Sequence, residues 1–180
     1  MTVRLALRGV AALSLAAATA AHAHIVFAEP SAASGSYYAG FLRVSHGCAG
    51  SPTVSIRVEI PAAVASARPQ PKPGWTLTVE KAPLATPIPS ESGGTVHDRV
   101  TAITWTGRLD ADQFDQFGIM LKLPDASATL YFPTVQRCES GSNEWNMIPA
   151  AGQPWHSVKS PAPVLNVTTG TPSIMHGMKM

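Results

Sequence analysis

The sequence predicts an all-β protein, an antiparallel Greek-key β-sandwich of about seven to nine strands. Apolar and polar residues alternate along several short segments, whereas almost no helical periodicity is visible. The 180 residues also include 16 Pro and 14 Gly, which separate the alternating segments at short intervals. This combination of short strands and frequent turns is typical of sandwiches of the immunoglobulin or cupredoxin type.

The alternation is clearest in segment 53–60, where Ile56, Val58 and Ile60 face one way and Arg57 and Glu59 face the other. The other alternating segments are 41–45, 75–80, 100–105, 117–123, 129–135 and 144–148. The Pro-rich, polar stretch 81–94 interrupts the pattern. We therefore expect it to be a long loop that covers one end of the sandwich.

The first 23 residues have the features of a secretory signal peptide. Arg4 and Arg8 precede an apolar run, and Ala21 and Ala23 occupy the two small-residue positions that signal peptidase recognises. We predict a signal peptide at 1–23, a β-sandwich domain at 24–158, a flexible Pro-, Met- and His-containing tail at 159–180, and a periplasmic location. No second long apolar run follows, so we expect no membrane span after signal removal.

Charge and cysteine content restrict the partners and the compartment. Removing Arg4 and Arg8 from the 13 Lys and Arg leaves 11, equal to the 11 Asp and Glu, and this balance does not favour nucleic acid as a partner. Two cysteines, Cys48 and Cys138, in an exported chain predict one disulfide bond. The alternative is a pair of thiols that bind copper, which needs a reducing compartment or protection of the thiols.

His24 becomes the first residue of the mature protein if cleavage follows Ala23. Its α-amine and its ring Nδ1 can then chelate one metal ion, and such nitrogen ligands suit Cu(II). The alternative is that the histidine is incidental, because signal peptidase accepts almost any residue at this position.

Other metal-binding residue types are scattered along the chain. Near the end, Met175, His176 and Met178 offer thioether and imidazole ligands that suit Cu(I), although such tails are often only disordered ends. For His46, His97 and His156 the simplest interpretation is a surface or structural position. The sequence contains no G-x-S-x-G, H-E-x-x-H or phosphate-binding glycine loop.

Trp145 can be interpreted in two ways. A tryptophan in a sandwich is usually a core residue. A Cys48–Cys138 disulfide would also bring Trp145 into the half of the domain that holds the chain start, where its indole could shield a copper ion through a cation–π contact. Trp75, Trp105 and Trp155 would serve as controls, with Trp75 and Trp105 expected in or near the core.

Several short motifs follow His24 in a fixed order, and together they resemble the YcnI-like copper-binding domain family over nearly all of the mature chain to about Pro149. The motifs are Lys72-Pro73-Gly74-Trp75, Ile103-Thr104-Trp105-Thr106-Gly107, Phe114-x-x-Phe117-Gly118, Phe132-Pro133-Thr134-Val135-Gln136 and Glu144-Trp145.

The resemblance implies an exported β-sandwich that binds one Cu(II) through a single-histidine brace at the mature N-terminus, with a tryptophan close to the metal. His24 and Trp145 match these positions. The family often has a Glu before the residue that matches Phe117. Here that position is Gln116, and Asp115 beside it is the candidate carboxylate ligand.

We therefore expect a periplasmic protein of copper homeostasis, a chaperone or buffer and not an enzyme. Its expected partners are the copper ion and other periplasmic copper-trafficking proteins. One alternative is a terminal-histidine copper enzyme that cleaves polysaccharides oxidatively, which normally has a second histidine in its brace. The other is a structural or adhesion sandwich in which His24 has no metal role.

Overall fold

Twelve β-strands form three sheets in the computed structural model, which describes residues 24–90 and 93–169. The strands are β1 (Val26–Phe27), β2 (Ser31–Ala33), β3 (Tyr37–Val44), β4 (Thr53–Glu59), β5 (Ser66–Pro69), β6 (Thr76–Pro89), β7 (Thr95–Leu109), β8 (Asp115–Lys122), β9 (Ala128–Tyr131), β10 (Thr134–Cys138), β11 (Ser142–Trp145) and β12 (Val164–Thr168). The only helical element among the described residues is a 3₁₀ turn at Trp155–Ser157, so they contain no helix long and apolar enough to cross a membrane. The predicted signal peptide, 1–23, and the tail residues Met175, His176 and Met178 lie outside the described residues.

The two larger sheets confirm the predicted sandwich. Sheet I has the strand order β1-β3-β8-β5, and sheet II has the order β11-β10-β4-β7-β6, with antiparallel pairing throughout. Their inner faces meet at Trp105 of β7 and Phe117 of β8, two fully buried residues whose ring centroids are 5.5 Å apart. The strand number exceeds the predicted seven to nine because short strands such as β1 and β2 have too few residues to show alternation.

A third sheet extends the folded domain beyond the predicted boundary at residue 158. β12 pairs antiparallel with β9 and parallel with β2, and its residues Leu165 and Val167 are buried in the core. The prediction of a tail from 159 onward is therefore wrong for residues 164–168. The short alternation of β12 follows Pro161 and Pro163, which made this segment resemble a linker.

The described residues of the stretch 81–94, which are 81–90, 93 and 94, belong to the outer half of a long hairpin and not to the predicted loop. β6 and β7 stay paired as far as Pro89 and Thr95, with an irregular register between Pro83 and Ile88. Prolines are tolerated here because β6 is an edge strand, where a missing amide need not break the ladder. Since β4 pairs with β7 only from Ala102 onward, the outer half has a partner strand on one side only. We call residues 81–90 and 93–100 the hairpin arm.

Cys48 and Cys138 form the predicted disulfide bond, and their Cα atoms are 5.9 Å apart. Cys48 follows β3 of sheet I, and Cys138 ends β10 of sheet II, so the bond joins the two sheets at one end of the sandwich. Val26 pairs with Arg43 near the end of β3, which places the start of the domain at this same end.

Candidate metal centre

The imidazole ring of His24 lies between two indole rings. His24 precedes β1 and is half-buried. Its ring centroid is 5.3 Å from that of Trp145, with an interplanar angle of 58°, and 5.2 Å from that of Trp155, with an angle of 60°. Both separations are those of direct aromatic contacts. Two distant parts of the chain thus enclose the predicted N-terminal ligand, and we call His24, Trp145 and Trp155 the aromatic niche.

Trp145 is both a core residue and a wall of the niche. It is the last residue of β11, and only 6% of it is exposed. Its indole Nε1–H donates a hydrogen bond to Oε1 of Gln136 at 3.2 Å. Trp145 is therefore a core residue that also contacts His24, and its shielding of a copper ion stays a prediction.

Gln136 fixes the orientation of the Trp145 indole. This residue of β10 is 1% exposed, and its Oε1 also accepts a hydrogen bond from Nδ2 of Asn143 at 3.3 Å. Its Nε2 donates to the carbonyl oxygen of His46 at 2.7 Å and to Oγ1 of Thr53 at 2.8 Å. Both ends of the amide are thus satisfied, which is what burial of such a polar group requires. The network joins the Trp145 side chain to sheet II and to the turn after β3.

Trp155 reaches His24 from a closed loop of the chain. Met147 N–H donates to the Ser160 carbonyl at 3.0 Å, and Ala162 N–H donates to the Met147 carbonyl at 2.8 Å, which closes the loop at its base. The 3₁₀ turn Trp155–Ser157 lies within this loop, and the Trp155 indole N–H donates to the Ala162 carbonyl at 2.8 Å. The hydrogen bond anchors Trp155 to the loop base while its ring contacts His24.

Sequence analysis did not identify Gln136 or Trp155 as niche-forming residues. The sequence does contain a sign of the role of Gln136. Like Thr134 and Cys138, it occupies an inward-facing position of β10, where a polar residue needs hydrogen-bond partners. Trp155 lies in a segment without periodicity, and nothing in the sequence indicates its contact with His24. The prediction that Trp155 is a control remote from His24 is therefore wrong, whereas Trp105 is fully buried and Trp75 packs on the core, as expected.

The other histidines of the described chain occupy different places. His46 lies in the turn after β3, and its backbone carbonyl accepts the hydrogen bond from Gln136. His156 is exposed beside the niche, with its ring centroid 5.1 Å from that of Trp155. His97 is exposed on the hairpin arm.

The candidate carboxylate is engaged elsewhere. Oδ1 of Asp115 is 2.6 Å from Nζ of Lys72, and Gln116 is exposed at the start of β8. Within residues 24–90 and 93–169, no three or more His, Cys, Asp or Glu side chains form a group that could hold a metal ion. The predicted tail ligands Met175, His176 and Met178 lie outside this region.

The niche suits an ion that takes few ligands from the protein. Imidazole is a good ligand for copper, and a chain that begins at His24 adds its amine nitrogen beside the ring. The flanking indoles surround the imidazole with apolar rings, and aromatic π faces can attract cations. The described niche therefore offers the His24 imidazole as a candidate ligand in an aromatic surrounding.

Known proteins match this chain over the whole folded domain. Residues 24–167 match the family described as "Domain of unknown function (DUF1775)". A solved structure of an uncharacterized protein from Nocardia farcinica, described as having an immunoglobulin-like fold, is 30% identical with a TM-score of 0.61, and the match covers 81% of this chain and 99% of that one. No curated protein matches the chain. Because the family match covers most of the chain, the chain belongs to the DUF1775 family.

Proposed function

We propose that the protein is an exported, periplasmic copper-binding protein that holds one Cu(II) at His24 and serves copper homeostasis as a chaperone or buffer. The Ala21-x-Ala23 site precedes His24 directly, so processing would create the α-amine beside the imidazole. This pair of nitrogens forms the single-histidine brace that the resemblance to the YcnI-like family implies.

One observation supports the proposal most strongly, the enclosure of the His24 ring by Trp145 and Trp155. A histidine retained by chance after a cleavage site would need no such surrounding. Here one indole is held by Gln136 and the other by the Ala162 carbonyl, so both walls are anchored by hydrogen bonds. Fixed walls of this kind preorganise a ring for one ligand geometry.

A binding role is favoured over catalysis by the small donor set. The brace supplies two nitrogens, and water or another oxygen ligand would complete a tetragonal Cu(II) site. Asp115, the carboxylate ligand that the sequence suggests, forms an ion pair with Lys72. An ion held by few protein ligands keeps exchangeable positions, which is the property that a carrier or buffer needs.

Two measurements test this function. N-terminal sequencing of the protein recovered from the periplasm should begin at His24. Competition titration with a Cu(II) chelator should then give one tight equivalent for this protein and a loss of at least a hundredfold in affinity for His24→Ala, which keeps the free amine and removes the ring. His156→Ala is the matched control and should keep the affinity. Equal affinity of His24→Ala and the wild type would refute the proposed site.

A further inference from the structure

A groove lies between sheet I and the hairpin arm, and its described lining includes no residue of the aromatic niche. Its volume is about 1060 Å³. The floor is the outer face of sheet I, with Tyr37 and Met120, which are 52% and 42% exposed, and with Arg68 of the edge strand β5. The wall is the arm, which presents the half-buried Ile88 and Val96.

The described lining of this groove is strongly cationic. It contains four basic residues and one acidic residue, in a mature chain whose basic and acidic residues are equal in number. These residues are Arg68, Lys81, Arg99, Lys122 and Asp98. The guanidinium of Arg99 donates to the neutral backbone carbonyls of Ile60 and Val100. The groove therefore has a local positive charge that the composition of the whole chain does not predict.

Several surface cations outside the groove already have an ion-pair partner. Arg57, Lys72 and Arg108 each form an ion pair with a carboxylate. Arg68 and Lys81 have no ion-pair partner among the described residues. An anionic ligand would supply the negative charge that Arg68 and Lys81 lack as a partner. Complementary charge both speeds association and selects the partner.

The shape of the groove favours a peptide over a small molecule. The groove is open to solvent and not an enclosed cavity, so a small ligand would remain partly exposed, whereas small-molecule sites bury most of their ligand. Both sides of the groove are built from β-strands. An extended chain can lie along such strands, and its alternate side chains would point to opposite sides.

We propose that the groove binds an extended acidic segment of a partner protein, in which acidic side chains alternate with apolar ones. The acidic side chains meet Arg68 and Lys81. The apolar side chains meet Ile88 and Val96 on the arm and Met120 on the floor. The site is independent of copper binding at His24.

Fluorescence anisotropy with a labelled ten-residue peptide of alternating Glu and Val tests the proposal on the purified protein. We expect saturable binding that weakens as the salt concentration rises, and no binding of a Lys–Val peptide of equal length. The double variant Arg68→Glu/Lys81→Glu should bind at least tenfold more weakly. Because both side chains are exposed, its melting temperature should stay close to that of the wild type.

Two further variants separate the groove from non-specific attraction. Arg43→Glu/Arg137→Glu changes the net charge by the same amount at exposed residues outside the groove, and it should bind like the wild type. Ile88→Ser/Val96→Ser should bind several-fold more weakly with an unchanged salt dependence. Equal binding by all variants would overturn the proposal. So would binding of phosphatidylglycerol vesicles without binding of the Glu–Val peptide, which would point to a membrane surface instead.

Discussion

The His24 end of the sandwich and the hairpin arm differ in how completely their side chains are fixed. At the His24 end, Gln136 and Trp145 are 1% and 6% exposed, and hydrogen bonds hold both side chains in place. In the arm, Ile88 and Val96 are half-buried although they occupy apolar positions of paired strands. The two regions therefore use similar strand pairing with very different packing.

The difference shows that alternation alone does not determine burial. A strand's apolar face becomes core only where a second layer covers it. At the His24 end, sheet I, sheet II and the disulfide meet, and the rings are held in place. The arm extends past Ala102, where β4 stops pairing with β7, and its apolar face borders an open groove. One region suits a preorganised ligand site and the other an interaction surface.

Removal of the Cys48–Cys138 disulfide should have the largest effect on stability. The bond joins residues 90 positions apart, and the loss of such a cross-link costs about 4 kcal/mol in the chain-entropy model. Denaturant unfolding of Cys48→Ser/Cys138→Ser should show this loss, and the wild type measured in reductant should fall to a similar stability. A double variant as stable as the oxidised wild type would contradict the importance of the bond.

Substitution of Gln136 should separate the two regions most clearly. Gln136→Leu leaves the Trp145 indole N–H and the Thr53 hydroxyl without their partner, and we expect a loss of about 3 kcal/mol in the free energy of unfolding. Thr95→Val on the exposed arm is the matched control and should change stability by less than about 0.5 kcal/mol. Urea unfolding measures both, and similar effects at the two positions would mean that the arm is as tightly packed as the His24 end.

Tryptophan substitutions should show smaller losses of stability and a distinct optical signal. Trp145→Phe should cost about 1 to 3 kcal/mol, because it removes a buried ring and its hydrogen bond. Under the proposed function, Cu(II) should quench the fluorescence of Trp145 and Trp155 and leave Trp75, which packs on Phe117 with 4.9 Å between centroids, little affected. Quenching should therefore fall sharply in Trp145→Phe/Trp155→Phe and persist in Trp75→Phe. Full quenching in the double variant would place the ion away from the niche.

The smallest effect is expected at Glu80, where the hairpin joins the sheet. Its hydrogen bond from Arg57 lowers the pKa of this exposed carboxyl below its usual value. Because the pKa is lower in the folded state, the stabilisation is present above the unfolded pKa of about 4.3 and is lost as the pH falls through the folded pKa. Urea midpoints of Glu80→Gln should lie slightly below those of the wild type at pH 7 and coincide with them at pH 2. A difference that persists at pH 2 would contradict this assignment.

The sequence predicted the two-sheet sandwich better than it predicted where the strands and the domain end. Alternation at Ile56 and Val58 located a core strand, because a covered sheet face imposes a period of two. The same rule failed at the arm, where Pro83 and Pro89 looked like loop residues although an edge strand accepts them. It also failed at β12, because Leu165 and Val167 are buried only through the pairing of β12 with β9 and β2, which the sequence does not show.

The candidate site was predictable only in part for a related reason. His24 and Trp145 could be found because a predicted cleavage site and a family-like motif mark them in the sequence. Trp155 could not, since its contact with His24 depends on a loop closed by hydrogen bonds between Met147, Ser160 and Ala162. Asp115 was a candidate ligand because it stands beside Gln116, the position where the family often has a Glu. Its ion pair with Lys72 depends on the tertiary fold and could not be predicted from the sequence.

Electron paramagnetic resonance of Cu(II) tests the central claim, that the free amine of His24 and its ring together hold the ion. One equivalent of Cu(II) should give a tetragonal, nitrogen-rich spectrum with protein that begins at His24. Protein with one extra alanine before His24 keeps the ring, the indoles and the fold, and it should lose this spectrum or change it strongly. Identical spectra and equal affinities for the two proteins would contradict the claim.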